Sequence, residues 1–300
     1  MHLPDLQIFL RVIELGSLSA VARERNVPVS QISRAVNRLE AHHKLRLLHR
    51  TTHGLSLTGE GETLRDHGKR IASTLEELDA DLAHSAGEIR GQLRVGLSAT
   101  LAQYVIVPSL KGLYARHPRL RVDLEVDDRV VDMAREGIDL TIRTGAMQAD
   151  TLVARQIGVH RRALYATPAY LRKHGTPRAV QDLAQHQLIA NSVTHHHNQW
   201  PFKVGAESLV WNAGEQAQYR ANSNAMVIRM MLESLGIGRA ITMVGSELQR
   251  AGQLKPVLEK FTDDAPVPIY AVMLQERHRS PKVRAAIDYW AETFAQTQSA

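Results

Sequence analysis

Residues 27 to 40 read VPVSQISRAVNRLE, a run whose polar side chains suit hydrogen bonding to base edges and phosphates. Ser30, Gln31, Ser33, Arg34, Asn37 and Arg38 fall on one side of a helix drawn through it, with almost no acid among them. Ile32, Val36 and Leu39 fall on the other side, four and three residues apart, and form a stripe to be buried. Arginine can hold guanine O6 and N7 with two parallel hydrogen bonds. Gln31 and Asn37 can read adenine or rest on phosphate, and Ser30 suits phosphate. An ordinary surface helix is the alternative for this stretch taken alone.

Three other groupings invite a chemical reading and fail on spacing. His195, His196 and His197 are adjacent instead of four apart, no H-E-x-x-H occurs, and the chain has no cysteine, so a solvated loop is expected there and no metal. Gly236-Ile237-Gly238 lacks the third glycine and the preceding strand of a dinucleotide loop. Gly96-Leu97-Ser98-Ala99-Thr100 lacks the second glycine of a nucleophile elbow. No catalytic constellation emerges, and the expectation is a protein that is not an enzyme and carries no cofactor.

The elements around the polar run place it. Leu6, Phe9, Leu10 and Ile13 repeat at helical spacing, and a second helix follows over 16–25 with Ser17 as its N-cap. Asn26-Val27-Pro28 is a tight turn between that helix and the polar one, which together make a helix-turn-helix. Leu55 and Leu57 alternate with polar neighbours behind Gly54, so residues 46–58 read as a hairpin, a wing. Between residues 23 and 50 the cations Arg23, Arg25, Arg34, Arg38, Lys44, Arg46 and Arg50 face only Glu24 and Glu40. The whole chain carries +6, so its positive charge is concentrated at this head, as a polyanionic partner such as double-stranded DNA requires. The first residues carry Asp5, Arg11 and Glu14 and do not read as a signal peptide. No apolar run approaches the roughly 18 residues of a membrane span, and the expectation is a cytoplasmic protein with no membrane partner.

From residue 60 to 86 the pattern becomes one long helix. Leu64, Ile71, Leu75, Leu78 and Leu82 form a heptad seam, with Gly68 at one seam position. A second copy of the helix would cover it, making a homodimer; packing on the body of the same chain is the alternative. Residues 87–91, GEIRG, look like a hinge. Strand and helix patterns then alternate: 93–97, 101–116, 120–126, 130–136 and 139–143 as a βαβαβ run implying a parallel sheet. A second unit begins at 164–166 and takes in 168–173, 188–190, 225–235 and 238–243, while 267–274 and 281–294 return to the first. The expected organisation is a winged helix-turn-helix over 1–59, a dimerisation helix over 60–86, a hinge over 87–91, and a two-lobed α/β domain over 92–300. Its lobe I takes about 92–163 and 267–300, its lobe II about 164–266, with ligand space between them.

In this order the parts resemble the LysR-type transcriptional regulators over essentially the whole chain. The residues that carry the resemblance are Phe9-Leu10-Arg11-Val12, Gly16 to Ala22 (GSLSAVA), Ser30 to Arg34 (SQISR), Arg38-Leu39-Glu40, Leu47 to Thr52 (LLHRTT) and Leu55 to Gly61 (LSLTGEG). Further on, Gly91 to Val95 (GQLRV), Asp139 to Gly145 (DLTIRTG) and Ala166 to Leu171 (ATPAYL) match the family's effector domain. The resemblance implies a periplasmic-binding-protein-like effector domain, a small-molecule effector, and an assembly that is a dimer of dimers, a homotetramer. By it Ser33 and Arg34 face the major groove, and Arg50 and Thr51 stand at the start of the wing, against backbone or minor groove. Arg38 is a phosphate clamp or a surface ion pair with a nearby acid. The effector contacts carried over are Ser98, Thr100, Arg143, Thr144, Asn222 and Ser223. Ser98 and Thr100 could donate to an anionic or carbonyl-bearing ligand, helped by N–H groups at the start of the next helix. Arg143 could pair with a ligand carboxylate, or with Asp127 or Asp139.

Departures from the family pattern are local. Pro28 stands where a capping Ser or Thr is usual, and Glu60 where alanine is usual. His43-Lys44 replaces a frequent Leu-Gly, so that a left-handed Lys44 would cost on the order of 1 kcal/mol. The expected function is sequence-specific transcription regulation modulated by a small effector, with RNA polymerase as a partner if the protein activates. A solute-binding protein would explain the lobes without the helix-turn-helix, an enzyme on the same frame would show turnover, and a non-specific DNA binder would depend on salt more than on sequence. The aromatic content, 5%, gives little hint of the ligand.

Overall fold

A computed structural model of the chain describes residues 2–51, 54–83, 89–129, 131–145, 152–193, 195–263, 265–275, 277 and 280–299. The chain divides into two compact units, residues 1–91 with 132–138, and residues 92–131 with 139–300.

The first unit opens with helices α1 (Leu3–Leu15), α2 (Leu18–Arg25) and α3 (Val29–His43). Gly16 ends α1 in the left-handed region at φ 64°, and Ser17 caps α2 by accepting from the Ala20 N–H. Asn26, at φ 52°, closes α2, and Pro28 leads into α3. Ile32, Ala35, Val36 and Leu39 are the buried side of α3; Ile32 and Ala35 pack with Ile8, Val12 and Val21, and Leu39 with Leu6, of the other two helices. The helix therefore begins at Val29, after the expected turn over Asn26 to Pro28, and runs past Glu40 to His43, with Lys44 left-handed at φ 56°.

Strands β1 (Leu48–Thr51) and β2 (Gly54–Leu57) make the antiparallel wing. Glu40 fixes it to α3, its Oε1 accepting from the N–H groups of Leu47 at 2.8 Å and Leu48 at 3.4 Å. Thr58 Oγ1 donates to the Arg46 carbonyl at 2.7 Å and accepts from the Gly61 N–H at 2.9 Å, starting helix α4 (Gly59–Ala83). An added Cβ at Gly61 would run into the Leu47 carbonyl, so only glycine lets α4 leave the wing so closely.

The long helix corrects part of the expected seam. A Cβ at Gly68 would lie 2.8 Å from Leu6 Cδ1 and 3.3 Å from Leu10 Cδ2, and Leu64 and Ala72 pack on the same cluster. The row 64, 68, 72 is thus covered by α1 of the same chain. Ile71 and Leu78 are exposed at 39% and 51%, and Leu75 is half-buried. The side chain of Leu82 lies outside the described residues, as do residues 84–88, which include the first part of the expected hinge; Arg90 and Gly91 already belong to a strand.

In the second unit, β3 (Arg90–Leu97) leads to a helical run whose parts are α5 (Ala99–Leu101), a π segment at Ala102–Ile106, and α6 (Val107–Arg116). Pro108 has no N–H for the Tyr104 carbonyl, and the Val107 N–H reaches back five residues to Ala102, which widens the helix there. The chain continues through β4 (Arg119–Val126), α7 (Met133–Glu136, which counts with the first unit), β5 (Leu140–Thr144), β6 (Leu152–His160), β7 (Arg162–Ala166), α8 (Pro168–His174) and β8 (Ile189–Asn191). It ends with β9 (Gln199–Val204), β10 (Glu207–Asn212), α9 (Ala213–Gln216), β11 (Tyr219–Ala221), α10 (Asn224–Leu232), β12 (Gly238–Ile241), α11 (Thr242–Arg250), β13 (Lys255–Val257), β14 (Val267–Leu274) and α12 (Pro281–Ser299).

One sheet has the order β4-β3-β5-β14-β6 and a second β12-β7-β13, while β9 with β10 and β8 with β11 make two-stranded sheets. The parallel sheet expected for the first is mixed. β3 and β5 run parallel, but β14, arriving from the far end of the chain, is antiparallel to both β5 and β6. The strand expected over 238–243 stops at Ile241, because Thr242 and Met243 open α11; the helix expected from 130 starts at Met133, capped by Asp132 Oδ1. Asp139 is buried at 2% exposure between Arg277 Nη1 (3.2 Å) and Lys282 Nζ (3.3 Å), and accepts from the Arg94 N–H at 3.0 Å.

Two outcomes follow from the first unit's packing. Gly68→Leu should lower the unfolding free energy by about 1–3 kcal/mol through overpacking against Leu6 and Leu10. A melting temperature that rises instead would mean that the position faces a coiled-coil partner. Arg38 binds Asp5 through two hydrogen bonds, Nε to Oδ2 at 2.9 Å and Nη2 to Oδ1 at 2.5 Å, while the Asp5 carboxylate is 4% exposed. The hydrogen bonds to Arg38 hold the Asp5 carboxyl below its usual range against the opposing effect of burial. Arg38→Ala should therefore destabilise the protein at neutral pH, and Asp5→Asn in the same chain should restore part of the loss. Because the folded carboxyl is the more acidic, this stabilisation is present above the unfolded carboxyl's range and fades as pH falls through the folded one. Denaturant melts of wild type, R38A, D5N and the double variant at pH 7 and pH 3 measure it; an R38A loss that is equal at both pH values would sink the assignment.

Candidate DNA-reading surface and effector cleft

On α3, Ser30, Gln31, Arg34 and Asn37 are exposed together on the side away from the core, with Ser33 half-buried between them. Arg34 Nε donates to the Ser30 carbonyl one turn back at 3.2 Å, which holds the guanidinium along the helix. Arg38 is turned to Asp5; of its two readings, the ion pair is the contact present within the fold. Arg50 and Thr51 lie on β1, their side chains outside the described residues, together with residues 52 and 53 at the tip of the wing. The cations Arg34, Arg38 and Arg46 are all exposed on this unit.

The second unit holds a cleft open to solvent, with about 480 Å³ of space counting the open solvent at its mouth. Ser98, Thr100 and Leu101 line it from the end of β3 and the start of α5, with Thr144 from the end of β5. Asn224 and Ile228 of α10 face them, with Arg162 at the start of β7 and Arg239 to Ile241 on β12. His197, from the 3₁₀ turn His195–Asn198, completes the lining.

Three of the six expected effector residues, Ser98, Thr100 and Thr144, are brought together here, and three are not. Asn222 and Ser223 stop short of the cleft, where Asn224, the next residue, takes their place. Arg143 Nη2 donates to the Arg129 carbonyl at 2.9 Å. Neither expected acid pairs with it: Asp127 is gripped by Arg129, and Asp139 by Arg277 and Lys282. The N–H groups at the start of α5 are also engaged within the chain, Ala99 with Asp128 Oδ1 at 3.0 Å and Leu101 with Ser98 Oγ at 3.4 Å. Thr100 differs: it is 5% exposed, and its Oγ1 has no hydrogen-bond partner.

The solvated loop expected for the three histidines is corrected at His197. Its Nε2 is 3.1 Å from Arg162 Nη2 and its Nδ1 3.1 Å from Asn224 Nδ2, while Arg239 Nη1 donates to the carbonyls of Gln199 at 3.0 Å and of His197 itself at 3.4 Å. Burial, then the charges of Arg162, His196 and Arg239, pushes the His197 imidazole down to about 3, so it is neutral at physiological pH. Arg162 and Arg239 were missed in the sequence, although each is a cation within a short, otherwise mostly apolar strand (RALYA and GRAI), which is the available signal for a strand end facing a site. No group of three or more His, Asp or Glu able to hold a metal ion occurs among the described residues.

Two family models match the chain: the bacterial regulatory helix-turn-helix protein, lysR family, over residues 3–62, and the LysR substrate binding domain over residues 86–295. An HTH-type transcriptional repressor of Pseudomonas aeruginosa (strain UCBPP-PA14) is 31% identical over 296 residues, covering 98% of this chain and 92% of its own. The HTH-type transcriptional activator AaeR of Escherichia coli (strain K12) is 28% identical, covering 98% and 94%. Among solved structures, CrgA, a LysR-type transcriptional regulator from Neisseria meningitidis, is similar with a TM-score of 0.65 at 26% identity over 98% of this chain and 99% of that one. The winged three-helix head and the α/β domain with its cleft are thus the two parts of one known kind of protein: the chain belongs to the LysR family of DNA-binding transcriptional regulators, with an effector domain of the substrate-binding type.

Proposed function

We propose that this regulator reads its operator through Ser33 and Arg34 in the major groove, with Gln31 and Asn37 on adjacent bases or phosphates and Ser30 on phosphate. Arg34 is the observation that carries the reading: an exposed arginine, braced on its own helix by Ser30, on the face of α3 opposite the buried stripe. A bidentate contact from it to guanine is worth roughly 1–3 kcal/mol of discrimination. Arg38 keeps most of its side chain exposed, at 60%, so it can touch phosphate while bound to Asp5. Arg50 and Thr51 take the backbone beside the wing.

Ile71, Leu75 and Leu78 supply the apolar side of α4 that α1 leaves open, and a second copy of α4 covers it, with Leu82 continuing the row. Paired heads then read paired half-sites, gaining by effective concentration, and two dimers make the homotetramer. A small molecule in the cleft changes the preferred arrangement of that assembly, which requires that it bind one arrangement better than another. The working compartment is the cytoplasm, the role is regulatory and not catalytic, and RNA polymerase is the further partner if the bound tetramer activates.

Selection from fragmented genomic duplex DNA at about 150 mM salt, where phosphate-only binding is suppressed, tests the reading head. Wild-type protein should enrich a few fragments with paired half-sites, and Arg34→Ala should lose that enrichment; equal and uniform recovery by both would make the protein a non-specific binder. Replacing Leu75 and Leu78 together by glutamate should give monomers in light scattering with the head still folded. Oligomers that persist would remove these two leucines from the interface.

A further inference from the structure

The hydrogen bonds around His197 leave one contact that no protonation state of the protein can satisfy. The Val193 backbone N–H donates to Asn191 Oδ1 at 2.9 Å, and a backbone N–H can only donate. Asn191 must therefore present Nδ2 to Asn224, whose Oδ1 accepts at 3.0 Å. That turns Asn224 Nδ2 towards His197 Nδ1, which must accept. A neutral imidazole accepting at Nδ1 carries its proton at Nε2, and that proton faces Arg162 Nη2, a group that can only donate. Moving the proton to Nδ1 transfers the conflict to Asn224, and a charged imidazolium has both conflicts at once.

The rest of the lining repeats the demand for an acceptor. Among the described residues, Thr100 Oγ1 is buried without a partner and none that lines the cleft is a carboxylate. The apolar part is aliphatic, Leu101, Ile228, Ala240 and Ile241, with no Phe, Tyr or Trp among the described lining residues. Arg162 and Arg239 add to the positive field that keeps His197 neutral.

We infer that the cleft takes a small aliphatic carboxylate, whose carboxylate group accepts from His197 Nε2 and Arg162 while Thr100 Oγ1 bonds the same group or a neighbouring oxygen. This inference rests on the cleft being the effector site. A carboxylate that accepts from both groups, with Arg162 moving off its 3.1 Å approach to His197, replaces the donor-to-donor contact by two charge-assisted hydrogen bonds. The chain of amides from Val193 to Asn224 sets the imidazole in the required tautomer beforehand.

Calorimetric titration of the full-length protein with propionate, butanoate, lactate, malate, succinate, glutarate and 2-oxoglutarate tests it, with the corresponding amides and inorganic phosphate and sulfate as controls. At least one of these acids should bind at concentrations up to about 10 mM, at least about tenfold more tightly than its amide. Thr100→Val should weaken that binding about tenfold or more while leaving the melting temperature of the ligand-free protein unchanged or raised, because the hydroxyl it removes is unsatisfied. Arg162→Gln should weaken it further. Equal affinity for acid and amide, binding of phosphate or sulfate alone, or no binding by any acid would each overturn the inference. A Thr100→Val protein that melts lower and binds the acid as well as wild type would do the same. Operator affinity, measured on the same samples, separates this from the effector reading. An acid that binds without altering operator affinity leaves the inference standing and removes the effector role; a neutral ligand that alters operator affinity does the reverse.

Discussion

The second unit depends on a carboxylate that has been taken out of water. Asp139, itself buried, stands at the entry to β5, bound by the Arg94 N–H of β3 and flanked by the buried Arg277 and Lys282. Removing one partner of such a cluster would strand a charge in a low-dielectric interior, which is among the most destabilising single changes a core can suffer. The cluster also fixes register. Val95 lies opposite Leu140 and Leu97 opposite Ile142, and a slip of one residue would turn every side chain of β5 to the other face. Lys282 extends the tie to the Gln92 carbonyl and to the start of α12. Ser98, Thr100 and Thr144 meet at one rim because the two strand ends are held level.

The opposite rim is built on different physics. Arg162 and Arg239 come from neighbouring antiparallel strands, with β7 and β12 paired so that Arg162 sits opposite Ile241 and Arg239 opposite Leu164. His197 reaches them from a short turn anchored by Asn198, whose side chain both donates to and accepts from the backbone of Asn191. Two cations and a neutral imidazole in a partly buried space make a field that favours anions, and the apolar residues beside them set what else a ligand can carry.

In the reading head, the same side chains serve the fold and face outward. Glu40 staples the wing to α3, Arg38 bridges α3 to α1 through Asp5, and Gly68 lets α4 lie against α1. The rigidity of α3 relative to the wing follows from these ties. A head that reads base edges needs it, since side chains on a loose helix would lose more entropy on binding.

The three-helix head, its wing and the long helix were legible in the amino-acid order, because caps, turns and apolar stripes are local signals: Ser17, Asn26 and Leu39 act where their spacing puts them. The alternation of strands and helices behind the head was equally plain, while Ser98, Thr100 and Thr144, which line the cleft, were expected only from the family resemblance. Tertiary structure alone decided the partners of charged groups. Arg38 found Asp5 across 33 positions, Arg143 turned to a backbone carbonyl, and Gly68 proved to be a site of close helix contact instead of a gap in a coiled-coil seam. It also decided the far wall of the cleft, where His197, Arg162, Asn224 and Arg239 converge from four separate segments. Local periodicity is set by bonds to neighbours along the chain, whereas a long-range pairing depends on which surfaces the whole fold brings within a few ångströms, and the order of residues does not spell that out.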